Sequence, residues 1–504
     1  MGIPGTSDDR LAEEVIVREP RWSPWRPSPQ RILAVTVVAV TAILVGLLAA
    51  STGTFLSSAK TPDRPVLAFV IAASLWGTAI ISYIAWPNRW NLYAHGQLAF
   101  GFVAYLLPIG AAGVLDRYSE ESVGLYARLL LAGFFVAVAG VFIGKAMASA
   151  RSSESVPIWS RIDLRNPDRA ARRARVALIL ACVGIIAAFA VMGFVPMLAE
   201  DAFAAKFFRG AYAASYRPVA PLYRVSTSVV ALLLPIAAMY ALKRRRESWG
   251  LLTVIALAIM FLTLQRGPAV TGLLLFVGVL FAARRRGMWL YVAALVTTYF
   301  LGSALYQVLG RFGLGPLAGG RSVSLVDGAV AGAPDVQDQL TFVTHWLERP
   351  TYTNGRTFVG GLIPGNFGWN PAVWSLSVTN PGVDVSGINS GGYRLPPQLW
   401  GLVSFGWPGV VLVSALYGVA VGYLAGRARR TIVLGDPEKT MIAFVVYGAV
   451  FDLVTCFYTL SYLSVIELVV LLFLFRLSRG LSDASDADRG PRLVGMVERS
   501  GAAR

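Results

Sequence analysis

Apolar residues occur along this chain in long runs that short polar stretches separate. A run of about 17 to 25 apolar residues is long enough to cross the hydrocarbon core of a membrane as a helix. Such runs predict helices near residues 32–52, 66–86, 97–115, 123–148, 176–198, 223–242, 249–264, 268–283, 288–307, 405–425, 440–458 and 461–477. The pattern therefore predicts an all-α polytopic membrane protein with about twelve transmembrane helices.

Basic residues are unevenly distributed among the connections between these runs. Clusters of Lys and Arg fall in alternate connections, including residues 151–175, 243–246, 284–286 and 427–430. Because cytoplasmic loops carry the excess of Lys and Arg, these connections and both termini are predicted to be cytoplasmic. The loops on the other side are poorer in positive charge, and the 116–122 connection, DRYSEES, is net acidic.

The longest connection, residues 308–396, then lies on the extracytoplasmic side before the last three helices. A connection of this length is expected to fold and to carry function. Its stretch DVQDQLTFVTHWLER predicts an amphipathic helix with Asp335 as the N-cap and Leu340, Val343 and Leu347 along one apolar stripe. The predicted organisation is a disordered cytoplasmic tail, nine transmembrane helices, this partly helical loop, three more helices and a second disordered cytoplasmic tail, at 1–30, 31–307, 308–396, 397–478 and 479–504.

Composition agrees with a membrane protein and narrows the chemistry. The 504 residues are 56% hydrophobic and only 14% charged, whereas soluble proteins are about a quarter charged. The net charge is +17, but the basic residues form short clusters between apolar runs, so nucleic acid is not an expected partner. Cys182 and Cys456 lie within apolar runs and indicate no disulfide framework. No spacing of His, Asp and Glu resembles a metal cage, so neither a metal nor another cofactor is expected.

Arginines are frequent on the predicted outer side, which the insertion rule otherwise depletes of positive charge. Arg266 occupies the turn QRGP between two short apolar runs, so we expect this turn to lie low, in a depression of the outer face. Converging guanidinium groups suit a phosphate or pyrophosphate, and pairing with loop carboxylates or lipid headgroups is the simpler alternative. The other arginines of this side are Arg209, Arg217, Arg224, Arg311, Arg321, Arg349, Arg356 and Arg394.

Few side chains on the outer side can serve as acid or base. His345 and Glu348 lie one helical turn apart in the predicted loop helix, so both can face one cleft. Asp452 and Glu467 fall in the outer halves of the last two predicted helices. They are candidates for counter-ions of the arginines or for a proton-handling pair.

The chain resembles the Wzy family of O-antigen or oligosaccharide repeat-unit polymerases, which belongs with the O-antigen ligases among the GT-C-like membrane glycosyltransferases. The resemblance rests on the many-helix plan with one large outer loop, on the Arg-bearing turn LTLQRGPAV and on the closing stretch INSGGYRLPPQLWGLVSFGWPGVVLVSALYGVAVGYL. In one branch of the family an outer loop carries an Arg, ten residues and then Gly, and Arg349 to Gly360 fits that spacing. Neither Arg209 nor Arg217 has Gly at the matching position, so the chain departs from a paired two-loop arrangement.

The resemblance implies an inverting glycosyl transfer without a metal, a nucleotide sugar or another cofactor. A polyprenyl-pyrophosphate-linked glycan would be the donor, and the terminal hydroxyl of a second lipid-linked repeat unit would be the acceptor. His345 or Glu348 would act as the base. Arginines would stabilise the pyrophosphate leaving group, supported by other side chains; the candidates are Arg266, Arg349, Arg356, Arg217 and Arg394 for the pyrophosphate and Asp452, Glu467 and Gly360 for support.

The same resemblance implies a bacterial cytoplasmic membrane, with the active site on the extracytoplasmic side and with membrane lipid, a chain-length regulator and a flippase as candidate partners. Three alternatives remain open. The first is an O-antigen-ligase-like transferase, which would use another acceptor. The second is a GT-C transferase using a polyprenyl-phosphate sugar, which the short first outer loop with Asp63 as its one acidic residue disfavours. The third is a lipid-linked glycan transporter, against which the absence of similar halves and the asymmetric outer loop argue.

Overall fold

The computed structural model describes residues 63–110, 113–150, 157–160, 167–244, 248–264, 266–284, 287–311, 325–364, 368–382, 392–432 and 436–475. Within these ranges the chain is helical between turns and short connections, and it contains no strand. The helices that position the site are α1 (Arg64–Ile80), α2 (Leu92–Gly101), α3 (Glu120–Ala150), α4 (Pro167–Met192), α5 (Ala202–Lys206), α6 (Ala211–Tyr216), α7 (Ala220–Lys243), α8 (Trp249–Leu262), α9 (Arg266–Arg284), α10 (Met288–Arg311), α11 (Leu325–Gly332), α12 (Asp335–Glu348), α13 (Arg356–Gly360), α14 (Pro371–Thr379), α15 (Pro397–Thr431), α16 (Pro437–Thr455) and α17 (Tyr462–Phe475). The predicted helix at 32–52, both predicted tails and Arg321 lie outside the described residues.

Six helical stretches of the described residues are long and apolar enough to cross a membrane, which makes this an all-α membrane protein. Four further helices are apolar but shorter: Trp249–Leu262, Val270–Arg284, Met288–Gly302 and Tyr462–Phe475. The six long stretches are Arg64–Ile84, Leu92–Gly110, Glu120–Ala150, Pro167–Met192, Ala204–Lys243 and Pro397–Thr431.

The helix predicted at 97–115 begins and ends earlier than expected. Its first residue is Leu92, because the Asn91 side chain caps the helix by accepting a hydrogen bond from the backbone N–H of Ala94 at 3.3 Å. The polar stretch WNLYAHGQ, which separates the apolar runs in the sequence, therefore supplies the first helical turns. Hydropathy alone placed this boundary five residues too late.

α3 and α15 pack closely through two G-x-x-x-G motifs. Gly140 and Gly144 lie on α3, and Gly418 and Gly422 lie on α15. A Cβ atom at Gly140 would lie 2.6 Å from the carbonyl oxygen of Ala415, and one at Gly418 would meet the backbone of Ala137. Glycines on both helices thus let the two backbones touch, as small residues do in membrane helix pairs.

α15 is two helical arms joined by a sharp kink, where the sequence predicted one helix at 405–425. Phe405 (φ −141°, ψ 18°) and Gly406 (φ 66°, ψ −152°) leave the helical conformation. A side chain at the positive φ of Gly406 would be strained, so glycine is suited to this position. The arm 397–404 folds back on the arm 407–431, and Gly401 and Gly409 lie against each other's backbones. The FGWPG stretch is therefore the corner of a helical hairpin.

Three of the connections predicted to be cytoplasmic meet at one end of the helices, in the part of the chain that the structure describes. Arg244 lies 2.7 Å from Asp168 and 3.4 Å from Glu438, so it joins the ends of α4, α7 and α16. The Trp159 indole N–H donates to the Thr431 hydroxyl at 2.9 Å at the same end. These contacts support the grouping of these connections on one side.

The predicted loop helix is present as α12 at the other end of the helices, called here the loop end because residues 325–382 lie there. Leu340 and Val343 are fully buried, as the apolar stripe predicted. The Thr344 hydroxyl donates to the Ser122 hydroxyl at 3.0 Å, and the Tyr118 hydroxyl donates to the carbonyl of Gln337 at 3.0 Å. α12 therefore lies over the start of α3.

The prediction that Asp335 caps this helix was wrong. Pro334 occupies the N-cap position, no side chain makes a capping hydrogen bond, and Asp335 is the first helical residue. Asp335 is only 4% exposed, because its side chain points inward beneath the helix.

Candidate functional site

The segment after α12, residues 350–361, is attached to the kink of α15. The Thr353 backbone N–H donates to the Val403 carbonyl at 2.8 Å, and the Thr353 and Ser404 hydroxyls lie 2.9 Å apart. Thr353 and Ser404 are both buried. Since Val403 and Ser404 end the first arm of α15, this segment of the long loop is fixed directly to the helical hairpin.

The same segment is attached to the turn between α16 and α17. The Leu460 N–H donates to the Phe358 carbonyl at 3.0 Å, and the Tyr462 N–H donates to the Gly361 carbonyl at 3.1 Å. The Phe358 ring lies between the rings of Phe405 and Phe457, with centroid distances of 5.9 and 6.1 Å. The kink of α15 and the turn between α16 and α17 therefore position α13.

α13 presents Arg356 at the surface. The Arg356 side chain is exposed, and its guanidinium carbon lies 4.8 Å from the centroid of the Trp369 ring. Stacking on an indole orients a guanidinium while leaving its N–H groups free to meet an anion. Gly360, a predicted supporting residue, is buried against the backbone of Trp369, where a Cβ atom has no room. Gly360 thus permits the close packing that brings Arg356 and Trp369 together.

A second arginine lies in an aromatic cluster beside α17. The Arg224 Nε–H donates to the Tyr216 hydroxyl at 2.8 Å, and its guanidinium also interacts with the Tyr462 side chain. The Tyr216 ring lies 5.8 Å from the Tyr223 ring. Arg217, which follows Tyr216, is exposed. Tyr462 therefore contacts both regions. Its side chain interacts with Arg224 near the start of α7, and its backbone N–H is bonded to Gly361 in the segment that carries Arg356.

The turn that carries Arg266 borders the same cluster. The Tyr223 side chain lies beside Thr263, and the backbone at Leu264 takes a positive φ of 57° before α9 begins at Arg266. α8 has 14 residues, about 21 Å at 1.5 Å per residue, which is shorter than a hydrocarbon core. The side chain of Arg266 lies outside the described part of the structure. The backbone segments carrying Arg217, Arg224, Arg266 and Arg356 nevertheless come together at the loop end.

The predicted base candidates lie on the last turn of α12. His345 Nδ1 lies 3.6 Å from Glu348 Oε2, and the two side chains are 36% and 64% exposed. Arg349 follows the helix and is exposed. The Trp346 indole N–H donates to the Thr351 carbonyl at 2.9 Å, which ties this turn to the segment that leads to Arg356. His345, Glu348 and Arg349 therefore lie at the surface, one short segment away from α13.

A buried polar cluster lies beneath the first turn of α12. Asp335 Oδ1 lies 3.8 Å from the exposed guanidinium of Arg394. The Gln339 side-chain amide donates to the Arg394 carbonyl at 2.8 Å, and the Tyr126 hydroxyl donates to the Gln339 carbonyl oxygen. Arg394, predicted as a pyrophosphate ligand, is thus engaged on one side with a buried carboxylate.

Asp338, one turn after Asp335, completes this cluster. Burial and the neighbouring Asp335 carboxylate raise the pKa of Asp338 to about 7, although Arg394 lowers it. Burial also raises the pKa of Asp335, against the opposing effect of Arg394. Asp338 is only half-buried, so its carboxyl group can exchange a proton with solvent or substrate near neutral pH.

The two predicted membrane carboxylates make local hydrogen bonds. The Cys456 thiol donates to Asp452 Oδ1 at 3.6 Å, and Asp452 also interacts with the Ser464 side chain. Glu467 interacts with the Ser228 side chain of α7. These contacts couple α16, α17 and α7. Within the described ranges, no group of three His, Cys, Asp or Glu side chains is placed to hold a metal ion.

The sequence predicted only a capping role for Asp335 and no site role for Asp338 or Gln339, and it gave Arg224 only as one of many arginines of the predicted outer side. A signal was present for Asp335 and Gln339, because they precede Phe342, Val343 and Trp346 at helical spacing on the buried face of α12, and Asp338 lies at the edge of this face. Polar residues on the apolar face of a helix indicate buried polar contacts.

Comparisons with known proteins add nothing to these observations. No family model matches the chain, no curated protein matches it, and no solved structure matches it.

Proposed function

We propose that this chain is a membrane glycosyltransferase that polymerises polyprenyl-pyrophosphate-linked oligosaccharide repeat units. The proposal places it in the bacterial cytoplasmic membrane, with about twelve transmembrane helices, both termini in the cytoplasm and the loop end outside. The run at 32–52 would supply the first helix. A chain-length regulator and a flippase remain candidate partners.

The observation that carries the proposal is the convergence of arginine-bearing segments at the loop end. The segments of Arg217 and Arg224, of Arg266 and of Arg356 meet around Tyr223 and Tyr462. A pyrophosphate carries several negative charges and offers acceptor oxygens that match the planar fork of a guanidinium. A site of this kind near the membrane surface suits a lipid-linked leaving group.

In the proposed reaction the acceptor hydroxyl oxygen attacks the anomeric carbon of the donor from the face opposite the pyrophosphate. The new glycosidic C–O bond forms as the bond to the pyrophosphate breaks, and that electron pair leaves with the pyrophosphate. Arginines stabilise the charge that develops there, with Arg356 and Arg266 as the main candidates and Arg349 at the rim. A base removes the hydroxyl proton, and Asp338 joins His345 and Glu348 as a candidate for this role.

The test uses purified protein in liposomes with a lipid-linked repeat unit. The wild type is expected to produce a ladder of polymers on the polyprenyl pyrophosphate. Arg356→Ala and Arg266→Ala are each expected to lower the rate at least about tenfold, because each would remove a charge-assisted contact to the leaving group. Arg64→Ala is the matched control, since Arg64 is also exposed but pairs with Asp116 at 2.8 Å.

A wild-type rate in both Arg356→Ala and Arg266→Ala would overturn the assignment of the arginines. A single transfer to a different acceptor, without a ladder, would favour the ligase alternative. Consumption of a polyprenyl-phosphate sugar would favour the monophosphate-dependent alternative.

A transporter is the second candidate, and one observation favours it. Asp452 and Glu467 are carboxylates on helices of the membrane region, with partners on three helices, and ionisable residues in such places often handle protons. The same liposomes separate the two functions. Movement of the lipid-linked glycan across the bilayer without its consumption would replace the polymerase proposal.

A further inference from the structure

The segment that carries α13 exposes an unusual set of large apolar side chains. Tyr352 is 50% exposed, Val359 55%, Leu362 37% and Ile363 47%. The opposite side of the same segment is buried, with Thr353, Thr357 and Gly360 packed against the protein. Several exposed apolar side chains on a short segment whose other side is buried indicate contact with an apolar partner.

This exposed surface adjoins the apolar face of the helical hairpin. The Phe358 ring packs on Phe405 at a centroid distance of 5.9 Å, and Thr353 is bonded to Val403. Phe405 and Trp407 are themselves 44% and 45% exposed. The exposed face then continues along the second arm of α15 at Val411, Leu412 and Leu416.

That arm belongs to one of the helices long and apolar enough to cross a membrane. Its exposed apolar face therefore contacts lipid. The outer face of residues 352–363 is a continuation of this lipid-facing surface, and it is held there by backbone hydrogen bonds at both of its ends.

The polar groups of the segment fit a position at the membrane surface. Arg356 is stacked on Trp369 at 4.8 Å, and both residues lie beside the apolar patch. Trp and Tyr are enriched where the hydrocarbon meets the headgroups, and arginine extends its guanidinium toward the phosphates at this level. Val359 follows Arg356 by three residues within α13, so the charge and this apolar side chain can lie along one face.

We propose that residues 352–363 are inserted in the outer leaflet of the bilayer, with Val359, Leu362 and Ile363 among the acyl chains and Arg356 at the level of the lipid phosphates. The central part of the long loop is then a membrane-surface element and not part of a soluble domain. This proposal does not depend on glycosyl transfer, because it concerns only the contact between the segment and lipid.

The test places a fluorescent label at single cysteines of the full chain in nanodiscs. Cys182 and Cys456 are replaced by Ala, and one cysteine is introduced as Val359→Cys or Leu362→Cys. Each is labelled with an environment-sensitive fluorophore, and lipids carrying a quencher near the top of the acyl chain are then included. Both positions are expected to lose at least about half of their fluorescence.

Two further positions calibrate the measurement. Leu412→Cys, on the lipid-facing side of α15, is the positive control, and Glu348→Cys, on the exposed turn of α12, is the control expected to stay unquenched. Thermal unfolding of each labelled protein, compared with the parent, identifies any variant that has not folded. If Val359→Cys or Leu362→Cys does not fold, Ile363→Cys replaces it, and its label is expected to be quenched to the same extent.

Quenching at Val359→Cys and Leu362→Cys no greater than at Glu348→Cys would overturn the proposal. If in that case the introduced cysteines of two chains form a disulfide with each other, a second copy of the protein covers the patch and lipid does not. An unquenched label that also stays accessible to a water-soluble quencher would show that the surface faces solvent.

Discussion

Asp335 and Asp338 differ from ordinary acidic residues in the first turn of a helix because α12 turns them toward the protein. A carboxylate there usually stabilises a helix through its backbone N–H groups. Here Asp335 is 4% exposed and its ion-pair partner is Arg394 at 3.8 Å. Asp338, close to this carboxylate, has a pKa raised to about 7 by burial and by Asp335. Removing one negative charge from this pair should therefore stabilise the first turn of α12.

Asp338→Asn is expected to protect α12 from unfolding at alkaline pH. The pKa of Asp338 in the folded protein is about 7, above its usual value of about 4. The folded state therefore binds more protons than the unfolded state between these values, and stability falls as the pH rises through this window. Hydrogen-exchange protection of residues 335–348 should decrease between pH 5 and pH 8 in the parent and much less in Asp338→Asn.

This experiment is done in a His345→Gln background, so that the imidazole on the same helix does not contribute. Asp335, Arg394 and Tyr118 also face Asp338 and remain unchanged. An equal loss of protection in the parent and in Asp338→Asn would show that Asp338 does not take up the proton.

At the level of elements, the contact between α3 and α15 positions the whole helical hairpin. The paired motifs around Gly140 and Gly418 bring backbone against backbone. Rigid backbone atoms cannot move aside as a flexible side chain can, so added volume must push the two helices apart. The kink, and with it the anchor of Thr353, would shift with α15.

Gly418→Leu is expected to destabilise the protein by about 1 to 3 kcal/mol or more, because the new side chain would overpack the contact with Ala137. The measurement is the thermal unfolding temperature in detergent or nanodiscs. Gly250→Leu on α8 is the matched control, since nothing lies within 4 Å of a Cβ at Gly250. An equal, small effect of both substitutions would contradict the close helix contact.

The sequence predicted most of these elements but not how they bend or meet. Apolar runs identify membrane helices because backbone groups in lipid must be satisfied within the helix, and the stripe of Leu340 and Val343 identified α12. The boundary at Asn91 was missed because a capping side chain, and not hydropathy, sets it. The bond from Thr353 to Val403 joins residues far apart in the chain, and nothing local in either stretch indicates it.

In the candidate site too, the sequence predicted single segments but not the contacts between them. Arginine-bearing segments could be recognised individually, but their meeting around Tyr223 and Tyr462 depends on the packing of α7, α8 and α17. The buried position of Asp335 was also hidden, because a polar residue in a first turn is usually solvated or capping.

At the scale of the whole molecule, connections among the described residues form two groups at opposite ends of the helices. Arg244, Asp168 and Glu438 mark one end, and Thr353, Phe358 and Leu460 mark the loop end. The excess of Lys and Arg in the first group favours a cytoplasmic location for it. The proposed site then opens to the outside.

Cysteine labelling of intact cells tests this orientation. Glu200→Cys places an exposed thiol in the connection after α4, and Arg172→Cys places one in the second turn of α4, near its other end, in a background without Cys182 and Cys456. A membrane-impermeant maleimide should label Glu200→Cys in intact cells, and Arg172→Cys only after permeabilisation. The reverse result would invert the proposed topology and remove the site from the outer face.

The anchoring of the 350–361 segment also constrains how the protein can be made. The kink of α15 at Val403 and the turn at Leu460, which anchor the segment, both come later in the chain, and a ribosome releases the chain from its N-terminus. Residues 350–361 cannot reach their final position until α16 and α17 have been inserted. The proposed arginine site is therefore completed last, and a nascent chain interrupted before Leu460 would hold most of its helices but lack this anchor.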